Sequence, residues 1–145
     1  MAENTMYAVD SLCANEFAVE LDGKPASGIF SISGLVTYQT DDQGKVISVP
    51  FRLAKMVQRN ANNAFNKWIR ETTGKRSDTD RPRRDLAIVA IDDGVEIRRW
   101  EVKGAWIQSI AYSQFNSASF EMMEEILSIS YEDIEETWAA SHDLE

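Results

Sequence analysis

Apolar and polar residues alternate most regularly between residues 92 and 112 of the chain. The segment begins with the turn-forming residues Asp92–Gly94, and the apolar residues that follow are mostly two positions apart. Successive side chains of a strand point to opposite faces, so a spacing of two predicts β structure, whereas a helix needs spacings of three and four. The alternation is broken at Gly104. We therefore predict two strands that meet at Gly104, with Trp100 and Trp106 on either side of it.

Similar alternation predicts further strands on both sides of this segment. Turn-forming residues separate them, and the clearest turn is Asp22–Pro25, whose Asp-Gly pair favours a hairpin. Pro50 has no backbone N–H, so the strand that contains it is expected at a sheet edge. The predicted strands cover residues 15–21, 28–38, 47–57, 86–91 and 117–131.

One segment, residues 60–73, has helical spacing instead. Asn60 is placed to cap the start of this helix, and Gly74 is placed to end it in a left-handed conformation. A helix of this kind covers a sheet with its apolar stripe. The stripe consists of Phe65, Trp68 and Ile69.

Together these elements predict a mainly β protein, a sandwich or barrel of antiparallel strands with one flanking α-helix. The length suits a single domain over residues 1–145, with an N-terminal arm at residues 1–14 and an acidic C-terminal tail at residues 136–145. Large aromatic side chains bury the most area, so we expect them to anchor the core. The predicted core anchors are Phe17, Phe30, Trp68, Trp100 and Trp106.

Acidic residues are concentrated towards the C-terminal end. The formal net charge is −9, and residues 121–145 hold nine acidic residues and no Lys or Arg. Such a block is typical of a solvated surface, and it disfavours nucleic-acid binding, because affinity for phosphates comes largely from Lys and Arg. The basic residues between 75 and 84 are interrupted by two aspartates and do not alter that conclusion. The spacing of Ile134 and Trp138 allows a short helix within the acidic region.

The residue types that catalysis and metal binding require are scarce. Cys13 and His142 are the only cysteine and histidine, which is too few for a Cys–His nucleophile or a four-ligand zinc site. Glycine-rich phosphate-binding motifs are absent. We therefore expect a protein that is not an enzyme and that uses no metal and no cofactor.

The longest strongly apolar run is Leu86–Ile91, far shorter than the roughly 20 residues that a membrane-spanning helix needs. The first residues also lack the basic and apolar blocks of a secretory signal. The sequence predicts synthesis in the cytoplasm and no membrane-spanning segment.

One polar stretch is predicted to form the tip of a projecting hairpin, because its residues favour turns and apolar alternation resumes after it. It consists of Thr40, Asp41, Asp42, Gln43, Gly44 and Lys45.

Three segments in this order resemble the tail-tube protein family of contractile phages and phage-tail-like contractile injection systems. They are Phe17–Gly23 (FAVELDG), Phe30–Leu35 (FSISGL) and Gly94–Trp106 (GVEIRRWEVKGAW). Residues 118–135 resemble the closing strand of that family, so the similarity extends over most of residues 15–135.

The resemblance implies hexameric rings that stack into a hollow tube inside a phage tail or injection particle. It also implies a structural role, with four kinds of partner: other copies of the chain, a sheath protein, baseplate or tube-initiator proteins, and the cargo that passes through the lumen. The loop Thr40–Lys45 is the candidate contact between stacked rings.

Three other interpretations stay open at this point. The chain could be a tube initiator next to the baseplate, or the tube protein of a type VI secretion system. It could also be a monomeric ligand-binding β-barrel in which Trp68, Trp100 and Trp106 line a pocket instead of a core.

Overall fold

The computed structural model describes residues 16–74 and 81–139, and within them it confirms a mainly β, antiparallel architecture with one helix. The predicted arm, Cys13, His142 and residues 75–80 lie outside the described residues. The strands are β1 (Phe17–Leu21), β2 (Lys24–Ala26), β3 (Ile29–Ser33), β4 (Phe51–Met56), β5 (Arg84–Asp92), β6 (Val95–Tyr112), β7 (Glu124–Ser130) and β8 (Asp133–Trp138), and the helix is α1 (Ala64–Thr73).

The strands form two sheets that share β6. Sheet A has the order β2-β1-β5-β6-β8 and uses the N-terminal half of β6. Sheet B has the order β6-β7-β4-β3 and uses the C-terminal half. One edge of β6 pairs with β5, and the other pairs with β8 and then β7. The register on that second edge is continuous, because Lys103 pairs with Asp133 and Trp106 pairs with Ser130.

β6 is one strand of 18 residues, so the prediction of two strands meeting at Gly104 is wrong. Gly104 bends the strand without ending it. Its φ of 62° lies in the left-handed region, which glycine adopts without a steric cost. A β-carbon at this position would also collide with the carboxylate of Glu132. Because pairing continues on both sides of the bend, β6 leaves one sheet and enters the other as a single strand.

The core lies between the two sheets, and α1 packs against it. On the neighbouring strands β4 and β7 of sheet B the buried residues alternate with more exposed ones, as expected when one face of a sheet is covered. β5 is different, because its residues 86–89 are buried on both faces. The helix contributes the predicted stripe of Phe65, Trp68 and Ile69.

α1 begins four residues later than predicted, at Ala64, because Asn63 caps it. The Asn63 side chain accepts a hydrogen bond from the backbone N–H of Asn66 at 2.8 Å. Asn60 instead forms a turn of its own, in which its side chain accepts from the N–H of Asn62. Gly74 has a φ of −79°, so the expected left-handed end is also wrong. Among the described residues, no helix is long and apolar enough to cross a membrane.

The predicted core anchors occupy four different environments. Trp68 is fully buried, and its indole N–H donates to the carbonyl of Pro82 at 3.1 Å. Phe17 and Trp100 are partly buried and pack against the core. Trp106 is half-buried beneath two arginine side chains on the face of β6 that points away from the core, so its assignment to the core is wrong. Phe30 is 41% exposed, so its assignment to the core is wrong. A bulge between residues 29 and 31 displaces it from the inward face of β3.

Pro50 lies immediately before β4, not within it, and β4 runs through the middle of sheet B between β3 and β7. The predicted edge position is therefore wrong. The missing N–H of Pro50 falls outside the ladder and costs the sheet no hydrogen bond.

The segment that contains Ile134 and Trp138 is strand β8, so the short helix considered for this region is wrong. β8 pairs with β6 over Arg98–Lys103. Arg98 lies 3.6 Å from the centre of the Trp138 ring and forms an ion pair with Glu136 at 3.3 Å. Residues 136–138 of the predicted acidic tail thus belong to sheet A.

A buried ion pair connects β4, β7 and α1. The ammonium group of Lys55 is fully buried and donates to Glu125 at 2.7 Å, to the Asn66 side chain at 3.3 Å and to the carbonyl of Met56 at 3.1 Å. These three acceptors match the three N–H groups of a lysine. The charge is therefore compensated inside the core, and sheet B and α1 are joined by polar contacts as well as apolar ones.

We expect Trp68→Ala to lower the free energy of unfolding by about 3 to 5 kcal/mol, the usual cost of removing a fully buried large aromatic side chain. Trp106→Ala is expected to cost less, because that ring is only half-buried. Chemical denaturation of both variants measures the difference. Equal losses would contradict the partial exposure of Trp106.

Gly104→Ala should destabilise the protein more than Gly44→Ala. Both glycines have positive φ, 62° and 85°, so each substitution carries the strain of a left-handed residue, about 1 to 2 kcal/mol. Only at Gly104 does the new methyl group also displace the Glu132 side chain, since the space around Gly44 is open. Denaturation curves of the two variants test this, and equal losses would show that the contact with Glu132 is unimportant.

Candidate assembly interface

Sheet B has two edges that no described strand pairs with. On β3, β4 occupies one edge and the other is free. On β6, residues 106–112 pair with β7 on one edge, while β5 on the opposite edge reaches only as far as Ala105. The described part of the chain therefore leaves unpaired backbone groups on both sides of the same sheet.

The side chains along these two edges do nothing to prevent pairing. The sequence of β3 is IFSIS, and that of β6 after Ala105 is WIQSIAY, so neither contains a charged residue or a proline. Sheet A is different. Its edge strand β2 is KPA, three residues with a lysine and a proline, and its edge strand β8 is DIEETW, with three acidic residues. Short, charged or proline-containing edges are those that proteins use to avoid pairing with other chains.

The free edge of β6 begins beside a stacked pair of arginines. The guanidinium carbons of Arg81 and Arg83 lie 4.1 Å and 5.0 Å from the centre of the Trp106 ring. Arg83 also forms an ion pair with Glu132, the residue packed against Gly104. These contacts fix the bend of β6 and the direction in which its free edge leaves sheet A.

The outer face of sheet B, which points away from the core, is built from small and hydroxyl-bearing side chains. Cross-strand pairs identify the face, because directly opposed residues share it: Ser33 lies opposite Arg52, Arg52 opposite Ser128, and Ser128 opposite Ser109. Its central residues are Ser31, Ser33, Arg52, Ala54, Ser109, Ala111, Ile126, Ser128 and Ser130. Most side chains at the centre of this face are small or carry hydroxyl groups, and the larger apolar side chains Trp106, opposite Ser130, and Met56, opposite Glu124, lie at its two ends.

The outer face of sheet A carries a charged network instead. Arg99 forms paired hydrogen bonds with both Glu20 and Glu96, at 2.9 to 3.2 Å. The hydrogen bond from Arg99 holds the pKa of Glu96 below its ordinary value, and the bonds to Glu96 and Glu20 raise the pKa of Arg99. Both shifts favour the charged forms of Glu96 and Arg99.

The polar loop Thr40–Lys45 is an ordered hairpin tip at the end of sheet B. Its first carboxylate, on Asp41, accepts hydrogen bonds from the backbone N–H groups of Gln43 and Lys45, both at 2.9 Å. Further back, the hydroxyl of Tyr131 donates to the carbonyl of Val36 at 3.0 Å and ties the base of the loop to the core. The loop projects from sheet B with a defined shape.

A catalytic or metal site does not emerge from the described residues. No three of their Cys, Asp and Glu side chains are close enough to hold a metal ion. An open groove of about 560 Å³ is lined by residues of the connection between β6 and β7, with Glu121 and Glu124 as its only ionisable groups.

The family model described as T4-like virus tail tube protein gp19 matches residues 13–135. The chain belongs to this tail tube family. It is thus a structural subunit of the tail tube type, and the resemblance found in the sequence is confirmed. No curated protein matches the sequence.

Solved structures of tail tube assemblies share the fold. A chain of an extracellular contractile injection system, the PVC sheath–tube complex in its extended state, has a TM-score of 0.72 and 17% identity, covering 93% of this chain and 97% of that one. A chain of the cap that terminates the anti-feeding prophage tube has a TM-score of 0.71 and 18% identity, covering 89% of this chain and 92% of that one. A type six secretion system protein has a TM-score of 0.62 and 10% identity, covering 90% of this chain and 87% of that one.

The sequence identified the hairpin tip of this tail tube protein but not the free edges of sheet B. The missing signal was present in the composition of the edges. The free edges on β3 (IFSIS) and on β6 after Ala105 (WIQSIAY) contain no charged residue and no proline. The edge strands of sheet A contain residues that prevent pairing: β2 has a lysine and a proline, and β8 has acidic residues. Which of the predicted strands lie at an edge could not be told before the pairing was known.

Proposed function

We propose that this tail tube protein forms hexameric rings that stack into the hollow inner tube of a contractile injection system or phage tail. The observation that carries the proposal is the pair of free, uncharged edges on opposite sides of sheet B. An exposed edge of this kind aggregates unless another strand covers it, and a partner of the same sequence can cover it. Membership of the tail tube family supports the same conclusion.

The ring closes when β3 of one copy pairs with residues 106–112 of β6 in the next copy. This contact joins two different surfaces, so repeating it generates a closed cycle if the rotation between neighbours is suitable. Every copy then uses both of its free edges. Sheet B becomes one segment of a continuous barrel whose wall is shared by all subunits.

The face of this barrel that lines the lumen is the outer face of sheet B. Its serines and alanines give a hydrated central wall, and the larger apolar side chains Met56 and Trp106 lie at its two ends. Arg52 and Glu124 contribute one positive and one negative group to this face. Arg81 and Arg83 stack on Trp106 at one end of it, where Arg83 pairs with Glu132, so positive and negative groups on the wall are close to balanced. Such a lining suits transport without specific binding. The proposed role of the protein is structural and not enzymatic.

The charged outer face of sheet A then lies on the outside of the tube, where a sheath protein is the partner. Partly exposed ion pairs such as Arg99 with Glu20 and Glu96 keep that surface hydrated until contact is made. Baseplate or tube-initiator proteins meet the first ring, and the subunits are made in the cytoplasm before assembly. The proposed arrangement is a single tail tube domain over residues 1–145.

A tube initiator beside the baseplate and a type VI secretion tube protein share this architecture. They differ from the main proposal in where growth stops, not in the fold. The monomeric ligand-binding barrel is disfavoured because Trp68 is fully buried and Trp100 packs against the core, so these rings line no pocket.

Edge pairing predicts that cysteines placed on the two free edges become linked between copies. We expect Ser31→Cys combined with Ser109→Cys, in a Cys13→Ser background, to give a ladder of oligomers that ends at six after treatment with a short bifunctional thiol reagent. Gel electrophoresis under denaturing conditions measures the ladder. Each single-cysteine variant is the control and should not progress beyond dimers. Rings visible by negative-stain microscopy without any ladder would contradict this choice of edges.

Deleting Asp41–Gly44 should abolish tubes and leave a folded subunit, since these residues form the tip of the loop proposed to contact the next ring. Circular dichroism checks the fold, and negative-stain microscopy checks assembly. Normal tubes from the deletion variant would remove the tip from the contact between rings.

A further inference from the structure

Sheet B ends in different loops at its two ends. The β6–β7 loop, residues 113–123, lies at the end where Tyr112 pairs with Glu125 and Met56 pairs with Glu124. The β3–β4 arm, residues 34–50, lies at the other end, where Ser33 pairs with Arg52. The strands run antiparallel, so these two connections are separated by the full length of the sheet.

Exposed apolar side chains are concentrated on both loops. On the β6–β7 loop, Phe115 is 74% exposed, Phe120 is completely exposed and Met122 is 73% exposed. On the β3–β4 arm, Tyr38 is 73% exposed and Val46 is 59% exposed. Large exposed apolar groups that lie together mark surfaces that contact another molecule.

The β6–β7 loop is held in shape by its own hydrogen bonds. The Asn116 side chain accepts from the N–H of Ala118 at 3.0 Å, and the Ser119 hydroxyl accepts from the N–H of Glu121 at 3.1 Å. At its base, Ser113 and Glu124 exchange two hydrogen bonds, both at 3.0 Å. An ordered loop loses less conformational entropy on binding, which favours a role as a contact surface.

We propose that the β6–β7 loop of one copy packs against the β3–β4 arm of a copy in the next ring, so that Phe115, Phe120 and Met122 are covered by Tyr38, Val46 and neighbouring residues. This inference rests on the proposed tube function. Strands of a barrel run at an angle to its axis, so their edges face neighbours in the same ring and their ends face the rings above and below. The partner of each apolar loop is thus a second copy of this chain.

The contact joins unlike surfaces, and this determines how assembly proceeds. A contact between two identical ends would produce a closed pair of rings and stop. A contact between the β6–β7 loop and the β3–β4 arm leaves one of each exposed at the two ends of every stack, so rings can be added without limit. The resulting tube has a direction, with the β6–β7 loops at one end and the β3–β4 arms at the other.

The test is a comparison of Phe120→Asp and Tyr38→Asp with Val95→Asp. Phe120 and Tyr38 lie on the two proposed partner surfaces, whereas Val95 is 55% exposed at the β5–β6 turn of sheet A, away from both. We expect the first two variants to give single rings without tubes, and Val95→Asp to give normal tubes. Negative-stain microscopy and sedimentation measure the result, and thermal unfolding confirms that each variant is folded. Phe115→Asp repeats the test at a second exposed position of the same loop.

Direction is tested by adding variant rings to growing unmodified tubes. A Phe120→Asp ring keeps its β3–β4 arm, so it should join one end of a tube and stop growth there. A Tyr38→Asp ring should block the other end, and the variant that carries both substitutions should leave the distribution of tube lengths unchanged. Shorter tubes with the double variant would overturn the pairing of these two surfaces.

The outcomes separate this inference from the proposed function. Absence of rings and tubes from the unmodified protein overturns the tube function itself. Normal tubes from both Phe120→Asp and Phe115→Asp leave the tube function standing and overturn the role of the β6–β7 loop. Loss of tubes from Val95→Asp as well would show that any added acid prevents stacking, which also overturns it.

Discussion

The bend of β6 at Gly104 is the constraint on which the rest of the structure depends. One strand belongs to both sheets, so the angle between the sheets is set by its backbone and not by side-chain packing alone. The position has room for no β-carbon, because Glu132 fills the space while it pairs with Arg83. The same bend separates residues 106–112 from β5 and thereby leaves an edge of sheet B free. The arrangement of the core and the proposed assembly surface thus both depend on the bend at Gly104.

The two sheets differ in how their edges are treated, and this divides the molecule into two functional parts. Sheet A ends in strands with lysine, proline and acidic residues, which suit contact with water. Sheet B ends in strands without any of these. A subunit that kept sheet B exposed would be prone to unspecific association, so the fold is complete only in the presence of neighbours.

Much of the fold could be predicted from the sequence because period-two alternation reports burial directly. The buried run of β5, the β1–β2 turn and the apolar stripe of α1 follow from local rules. The errors arise where long-range pairing decides. Nothing local distinguishes a glycine that ends a strand from one that bends it, as at Gly104. The segment of β8 has the composition of a helix, but pairing with β6 makes it a strand. Phe30 keeps the inward parity of β3, and only the bulge beside it turns it outward.

The candidate surfaces were predictable to a smaller extent. Turn chemistry alone is sufficient to identify the tip at Asp41, because an aspartate that caps its own turn is a local device. The β6–β7 loop has no such signature, and its phenylalanines resemble core residues until the structure shows that they are exposed. Whether an apolar side chain is buried by its own chain or by a second copy depends on the tertiary fold, which alternation does not contain.

The buried contact between Lys55 and Glu125 has a mechanical consequence. β4 and β7 pair in a register that places these two residues directly opposite each other. If a shearing force moved one strand past the other by a single pleat repeat, the ammonium group would face an apolar neighbour and both charges would be stranded inside the core. Leaving a buried charge without its partner costs about 3 to 5 kcal/mol. The ion pair therefore resists sliding of β4 past β7. Both strands belong to sheet B, which would bear the longitudinal load when a tube is driven forward.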